Sequence, residues 1–281
     1  MSGHRPAPAG PTSGGQARHE AGAGARDSRR GGPLLPDRQR SLPIPVHRRH
    51  HEVVTTSPKN PFDDPAHVAM YAERATQMVP ALADIHRMVG VLIAERVPPE
   101  ARVLVLGAGG GLETRALATT HPHWTFDAVD PSDAMLDLAV ETLGPDAARV
   151  RMHRGYVDVA PPGPFDAATS LLTLHFVPRD ERVRTVSEVR RRLAPGAPFV
   201  AMHLSIPGDD AERRVWMDRH MAYLAASGID ATDLEKARAA IELEVPVLTP
   251  EQDRAILEES GFTAVTEFFS SFSFRGWVGY A

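Results

Sequence analysis

Residues 103–114 read VLVLGAGGGLET, and residues 124–130 read WTFDAVD. The first stretch is an apolar run that ends in a glycine-rich turn, and the second is a shorter run that ends in Asp130. Apolar runs bounded by glycine predict buried strands, and the residues between them predict a crossover helix. The two stretches therefore predict a βαβ unit whose turn lies at the carboxyl ends of parallel strands, where open α/β sheets bind their ligands.

The spacing of the glycines narrows the kind of ligand. They follow the pattern G-x-G-x-G at Gly107, Gly109 and Gly111. A dinucleotide-binding turn has Gly or Ala at its sixth position, whereas the sixth residue counted from Gly107 is Leu112. Glycine lets the backbone approach a ligand closely, and an acid at the end of the second strand can accept hydrogen bonds from a ribose. The turn thus indicates a nucleotide-type site and does not favour NAD.

These motifs resemble those of the class I methyltransferases, which use S-adenosylmethionine (SAM). The similarity continues in GPFDAATSLL at residues 163–172 and in LAPGAPFV at residues 193–200, and it covers about residues 61–281. The resemblance implies that the glycine turn holds the methionine part of SAM and that Asp130 holds its ribose. It also implies further cofactor contacts at Ala108, Pro131, Gly155, Tyr156 and Leu172.

The chain departs from this family at two positions. Most members carry Asp or Glu two residues before the first glycine, where this chain has Val105, and many carry an acid where it has Gly155. We interpret Gly155 and Tyr156 as the adenine edge of the site. Our hypothesis for the other departure is that Glu113, just after the turn, supplies an anionic contact to the amino group of SAM.

The strand and helix pattern predicts the rest of the fold. It predicts a strand near residues 102–106, a helix over 112–120 and, after further alternation, a strand over 198–204. Such alternation implies right-handed crossovers and a parallel sheet. We therefore expect a Rossmann-like α/β fold with a seven-stranded, mostly parallel sheet and helices on both faces. N-terminal helices precede it, and a helical insertion over residues 206–246 precedes the last two strands.

The helices outside the sheet supply the candidate acceptor contacts. N-terminal helices cover the cofactor cleft in the similar family, so Tyr71 and Arg74 are candidate contacts to the acceptor or to the carboxylate of SAM. The insertion is interpreted as a lid whose Met and aromatic side chains suit an apolar organic acceptor. Its candidate acceptor contacts are Trp216, His220 and Tyr223.

Composition limits the other partners and the location. Residues 1–57 are rich in Gly, Pro, Ser and Arg without apolar periodicity, which predicts a disordered tail before a methyltransferase domain at residues 58–281. Residues 1–52 hold nine Arg against four acids, whereas the whole chain has a net charge of −5. The body is therefore acidic, which argues against a nucleic-acid partner. Because the sequence lacks cysteine, a secretory signal and a run of about 20 apolar residues, we expect a cytoplasmic protein without a membrane or metal partner. We also expect a monomer or homodimer.

Two histidines are candidate general bases. His175 follows the fourth strand, His203 ends the fifth, and imidazole titrates near neutrality. The predicted function is methyl transfer from SAM to a small organic acceptor. One alternative is a SAM-derivative-processing or tRNA-modifying enzyme, since QMVP at residues 77–80 resembles the carboxy-SAM synthase family. A second alternative is a SAM-binding module without catalytic activity.

Overall fold

The computed structural model describes residues 68–281, so the predicted tail over residues 1–57 lies outside the described part. The helices are α1 (Tyr71–Met78), α2 (Leu82–Ala94), α3 (Leu112–Thr120), α4 (Asp133–Leu143), α5 (Arg179–Arg191), α6 (Asp210–Ala226), α7 (Ala231–Leu243) and α8 (Pro250–Glu259). The strands are β1 (Arg102–Leu106), β2 (Thr125–Asp130), β3 (Val150–Arg154), β4 (Ala167–Leu171), β5 (Pro198–Leu204), β6 (Thr263–Ser271) and β7 (Phe274–Tyr280).

The seven strands form one sheet in the order β3-β2-β1-β4-β5-β7-β6. Strands β1 to β5 pair in parallel, and β7 runs antiparallel to both β5 and β6. This arrangement confirms the predicted Rossmann-like α/β fold. The chain order reverses between β1 and β4, so their carboxyl ends form the switch point at which such sheets place a ligand site.

The two faces of the sheet carry different helices, because successive strand residues point to opposite sides. On one face, which we call the cleft face, Val103 and Val105 join a core with α2, α3, α6 and α7. On the other, the rear face, Leu104 and Leu106 join a core with α5 and α8. The face on which a side chain lies therefore decides whether it can reach the switch point beside α1, α2 and α3.

The predicted lid helices are α6 and α7, which we call the lid. Asp209 and Asp230 cap their first turns by accepting hydrogen bonds from backbone N–H groups, the contact that defines a helix N-cap. Ser205 and Leu248 form a parallel bridge, and the Ile206 N–H donates to the Leu248 carbonyl at 3.0 Å. The two ends of the insertion are therefore held next to each other by this bridge.

Two further properties concern the described residues. Within residues 68–281, no single helix is long and apolar enough to cross a membrane, and α1 with α2 passes that test only as a pair bent by 87°. In the same part of the chain, no group of three His, Asp or Glu side chains is arranged to hold a metal ion.

Candidate cofactor and acceptor site

The glycine turn after β1 is held against the ends of the neighbouring strands. Gly107 has a φ of 75°, and a Cβ at this position would overlap the Thr173 side chain, so the turn requires glycine here. The N–H groups of Gly107 and Ala108 donate to the Val129 carbonyl at 2.8 and 3.0 Å. The turn is thus fixed between the end of β2 and the residues after β4.

Asp130 lies beside this turn, as predicted from its place at the end of β2. Its Oδ2 accepts the Gly109 N–H at 2.9 Å, and its Oδ1 accepts the Ser132 N–H at 3.0 Å. The residue is buried. Two backbone donors therefore fix the orientation of a carboxylate directly beside the glycines.

Tyr71 of α1 covers the turn from outside. A Cβ built on Gly109 would lie 2.9 Å from the Tyr71 hydroxyl oxygen, so only a residue without a side chain lets the ring approach this closely. Burial, together with the charges of Asp130 and Glu113, raises the pKa of Tyr71 to about 12. The hydroxyl therefore stays protonated at neutral pH and can donate a hydrogen bond in the cleft that Tyr71 lines.

Glu113 adds a second acid close to the turn. Its side chain is 6% exposed, and its Oε1 has no hydrogen-bond partner among the described residues. Burial raises the pKa of the Glu113 carboxyl to about 7, although the Thr169 side chain beside it acts in the opposite direction. Thr169 is paired with Val105 in the β1–β4 register.

Tyr71, Glu113 and the start of the glycine turn line one cleft on the cleft face of the sheet. Its lining is made of Tyr71, Ala75, Leu82, His86, Gly107, Ala108, Leu112, Glu113, Leu171 and Leu172. Sequence reasoning missed His86 and Leu82. The signal for them is weak, since both lie on the face of α2 that carries the buried Ile85 and Val89. Burial lowers the pKa of His86 to about 4, so its imidazole is neutral at physiological pH.

A second depression lies at the opposite edge of the sheet. Residues 94–99 and 120–124 line it, and these segments precede strands β1 and β2. Ligands of open α/β sheets bind at the carboxyl ends of the strands and not at the amino ends. The cleft beside the glycine turn is therefore the better candidate for a cofactor site.

The two candidate bases lie in different surroundings from the cleft-lining residues. His175 is buried, and its Nδ1 accepts the Leu204 N–H at 3.3 Å. Burial, with His203 and Arg182 nearby, holds the pKa of His175 well below its usual range. The catalytic role of His175 stays a prediction.

His203 is joined to the rear face of the sheet. Its Nε2 lies 3.1 Å from Asp253 Oδ1, and its ring packs on Trp277. Asp253 also pairs with Arg182, and all three side chains are 1% exposed. Burial opposes ionisation of Asp253, but His203 and Arg182 hold the pKa of its carboxyl below the usual range. The structure does not bring His203 to the cleft.

The candidate acceptor residues fall into two groups. Arg74 of α1 donates to Asp233 of α7 at 2.8 Å, so it joins the helix that covers the turn to the lid. In α6, the His220 ring lies on Phe274, the Tyr223 ring lies on Phe272, and Trp216 packs against the cleft-face core. His220 is buried, which lowers its pKa to about 4. The aromatic residues of α6 thus pack against the cleft-face core and the β6–β7 hairpin.

The predicted adenine edge lies next to Asp130. The Gly155 N–H donates to the Asp130 carbonyl at 3.0 Å, and Gly155 has a φ of 140°. Tyr156 is 72% exposed, and Pro131 is also exposed. Across the turn, Leu172 has a φ of 59° and lines the cleft. Four of the predicted cofactor residues line the cleft: Gly107, Ala108, Glu113 and Leu172. Gly109, Gly111, Asp130, Pro131, Gly155 and Tyr156 are not among its lining residues, and their contact with a cofactor stays a prediction.

The buried Glu113 predicts a pH-dependent stability that glutamine should remove. Its pKa is about 7 in the folded protein against a usual value of 4.5, so the folded state binds the extra proton and stability falls as pH rises from 4.5 to 7. At pH 8 the ionised buried carboxyl costs about 3 kcal/mol. We expect Glu113→Gln to raise the free energy of urea unfolding by about 2–3 kcal/mol at pH 8 and to change it little at pH 4.5. An equal gain at both pH values would contradict this account.

Known proteins share this domain. Residues 103–196 match the family described as a methyltransferase domain. The carboxy-S-adenosyl-L-methionine synthase of Chromohalobacter salexigens is 27% identical over 226 residues, which cover 78% of this chain and 82% of that protein.

Solved structures share the fold. An O-methyltransferase family protein from Burkholderia thailandensis has a TM-score of 0.52 at 16% identity, with 78% of this chain and 61% of that chain covered. The CurJ carbon methyltransferase has a TM-score of 0.55 at 19% identity, with 75% of this chain and 58% of that chain covered. The chain thus spans about three fifths of the length of these two proteins. The glycine turn with its β2 acid, the domain match and the shared fold agree: residues 103–196 match a methyltransferase domain, and the chain has the fold of solved methyltransferases.

Proposed function

We propose that this protein is an enzyme that transfers a methyl group from SAM to a small organic acceptor. The observation that carries the proposal is the fixed carboxylate of Asp130, held by two backbone N–H groups beside the glycine turn. A carboxylate in this place suits the two hydroxyls of a ribose. SAM, when bound, supplies a methyl group on a positively charged sulfur.

The residues present fit this cofactor at three points. The glycine turn would border the methionine part of SAM; its Gly107 and Gly109 leave room for the side chains of Thr173 and Tyr71 to pack directly on the backbone. Asp130 would hold the ribose, and Gly155 with Tyr156 would border the adenine. The unpaired Oε1 of Glu113 supplies a buried acceptor in the same cleft.

The protein would act mainly by excluding water and by alignment. Tyr71 covers the turn, and Arg74 ties the same helix to Asp233 of the lid. A closed, dry pocket that aligns the reacting groups accounts for much of the acceleration in displacement reactions of this kind. His86 lines the cleft in its neutral form. We therefore propose that its imidazole accepts a hydrogen bond from the hydroxyl or amine that is to be methylated.

The charge of the cleft favours a neutral or cationic acceptor. Within the described part of the chain, no Lys or Arg is among the residues that line it, whereas Glu113 is. Arg74, on the neighbouring helix, is already paired with Asp233. An anionic acceptor would enter beside carboxylates without a cation to balance it, which is unfavourable in a buried site.

A second candidate function is the production of a carboxylated SAM. It is favoured by the similarity to the relative named carboxy-S-adenosyl-L-methionine synthase. The absence of a cation among the described cleft residues counts against it, because its product carries an additional carboxylate.

Mass spectrometry of the cofactor distinguishes the two functions. We expect incubation of the protein with SAM and a panel of neutral phenols and amines to yield S-adenosylhomocysteine and a methylated acceptor. A carboxy-SAM synthase would instead convert SAM into a species heavier by one carboxyl group when given a carboxyl donor. Appearance of that species, with no S-adenosylhomocysteine, would replace the first proposal by the second.

A further inference from the structure

Glu113 is a buried acid with one carboxylate oxygen that lacks a hydrogen-bond partner in the described part of the chain. It lies on α3, one turn from the glycines, and the unpaired oxygen is Oε1. A buried polar atom left unpaired costs free energy, so such atoms mark places that a ligand can satisfy.

The position of Glu113 relates it to the missing acid of β1. In the parallel register of β1 and β4, Thr169 lies opposite Val105, the residue that stands where similar chains carry Asp or Glu. The Glu113 carboxyl is beside the same Thr169. Strand β1 has an apolar residue, Val105, where it meets β4. The side chain of Glu113, from α3, therefore brings a carboxylate to this junction.

The described surroundings of Glu113 contain no positively charged side chain that lines the cleft. A buried carboxylate, however, is stable when it is paired with a positive charge. Tyr71 can donate a hydrogen bond but carries no charge. We propose that Glu113 replaces the missing β1 acid and binds the α-ammonium group of the cofactor, an inference that rests on the proposed function.

The proposal predicts that cofactor affinity depends on pH. Because the pKa of Glu113 is about 7, its charged fraction falls as pH is lowered from about 7 to about 5.5, while an α-ammonium group stays protonated. The other titratable groups at the cleft are Tyr71, His86 and Asp130. Tyr71 stays protonated and His86 stays neutral over this range, and Asp130 faces Tyr71 and two backbone N–H groups. We expect the Kd for SAM to rise roughly tenfold.

Calorimetric titration of the full chain with two probes tests the assignment. SAM contains the amino-acid group, whereas 5′-methylthioadenosine keeps the adenosine and the thioether without it. We expect Glu113→Gln to weaken SAM binding at pH 7 by roughly 10- to 100-fold, to leave methylthioadenosine binding within about twofold, and to abolish the pH dependence. Arg115→Gln is the matched control, because Arg115 is exposed on the same helix; its Kd for SAM should be unchanged.

A charge-relocation variant adds a positive test. The double variant Val105→Asp with Glu113→Gln returns the acid to β1 and should recover most of the lost SAM affinity. An equal loss for SAM and methylthioadenosine in Glu113→Gln would show that Glu113 supports the fold of the site, and the assignment would be wrong. If the wild-type protein binds neither probe, the proposed function itself fails, which this experiment separates from a failure of the Glu113 assignment alone.

Discussion

Asp253→Ala is expected to lower the free energy of unfolding by about 3–5 kcal/mol. The pair Arg182–Asp253 joins α5 to α8, and both side chains are 1% exposed. Without the carboxylate, the Arg182 guanidinium stays buried, and among residues 68–281 its remaining hydrogen bonds go to the carbonyls of Val177 and Pro246. A buried charge without its counter-charge is among the most costly defects in a protein core. Urea unfolding followed by circular dichroism measures the effect.

The matched control replaces the whole pair. In the double variant Arg182→Met with Asp253→Leu no charge is left uncompensated, so we expect a smaller loss than in the single variant. His203, which lies 3.1 Å from Asp253, would lose the same partner in both proteins. A loss below about 1 kcal/mol for Asp253→Ala, or a larger loss for the double variant, would show that the pair does not stabilise the fold in this way.

Asp130→Ala is expected to weaken SAM binding by more than about 100-fold. The variant removes the carboxylate proposed for the ribose and also the acceptor of the Gly109 and Ser132 N–H groups. A hydrogen bond to a charged group contributes about 1.5–3 kcal/mol, so the loss of the two proposed hydrogen bonds from the ribose hydroxyls suffices for this effect. Calorimetric titration with SAM and with S-adenosylhomocysteine measures it.

Asp133→Ala provides the control for a general loss of negative charge. Asp133 lies three residues further along, in the first turn of α4, and it is exposed and paired with Arg154. We expect its Kd for SAM to stay within about twofold of wild type. A thermal melt of Asp130→Ala shows whether the protein still folds. Wild-type affinity in a folded Asp130→Ala protein would remove the observation on which the proposed function rests.

The part of the site that is local in sequence could be predicted. Strand β1, helix α3 and strand β5 occupy the predicted residues, because apolar runs and glycine punctuation specify such elements within a short window. The position of Asp130 beside Gly109 followed from the same βαβ geometry. The two lid helices were also indicated, since they have helical periodicity and start at capping aspartates.

The contacts between distant residues could not be predicted. Arg182 and Asp253 are 71 residues apart. The residues around each one do not indicate that the two side chains pair. His203 shows the limit of reasoning from strand ends. Its alternation with Phe199 and Ala201, both in the rear-face core, indicates that the three share a face, but only the packed helices reveal that the cleft lies on the opposite one. His86 joined the cleft through the packing of α2 alone.

The bridge between Ser205 and Leu248 has a consequence for how such a protein can diverge. The two ends of the lid are already held together. Replacing the residues between them therefore has little effect on the entropic cost of closing the loop. A segment of different sequence can be spliced into the same two ends while the sheet, the glycine turn and Asp130 remain as they are. The lid is therefore one continuous stretch of chain whose sequence can vary while this framework stays the same.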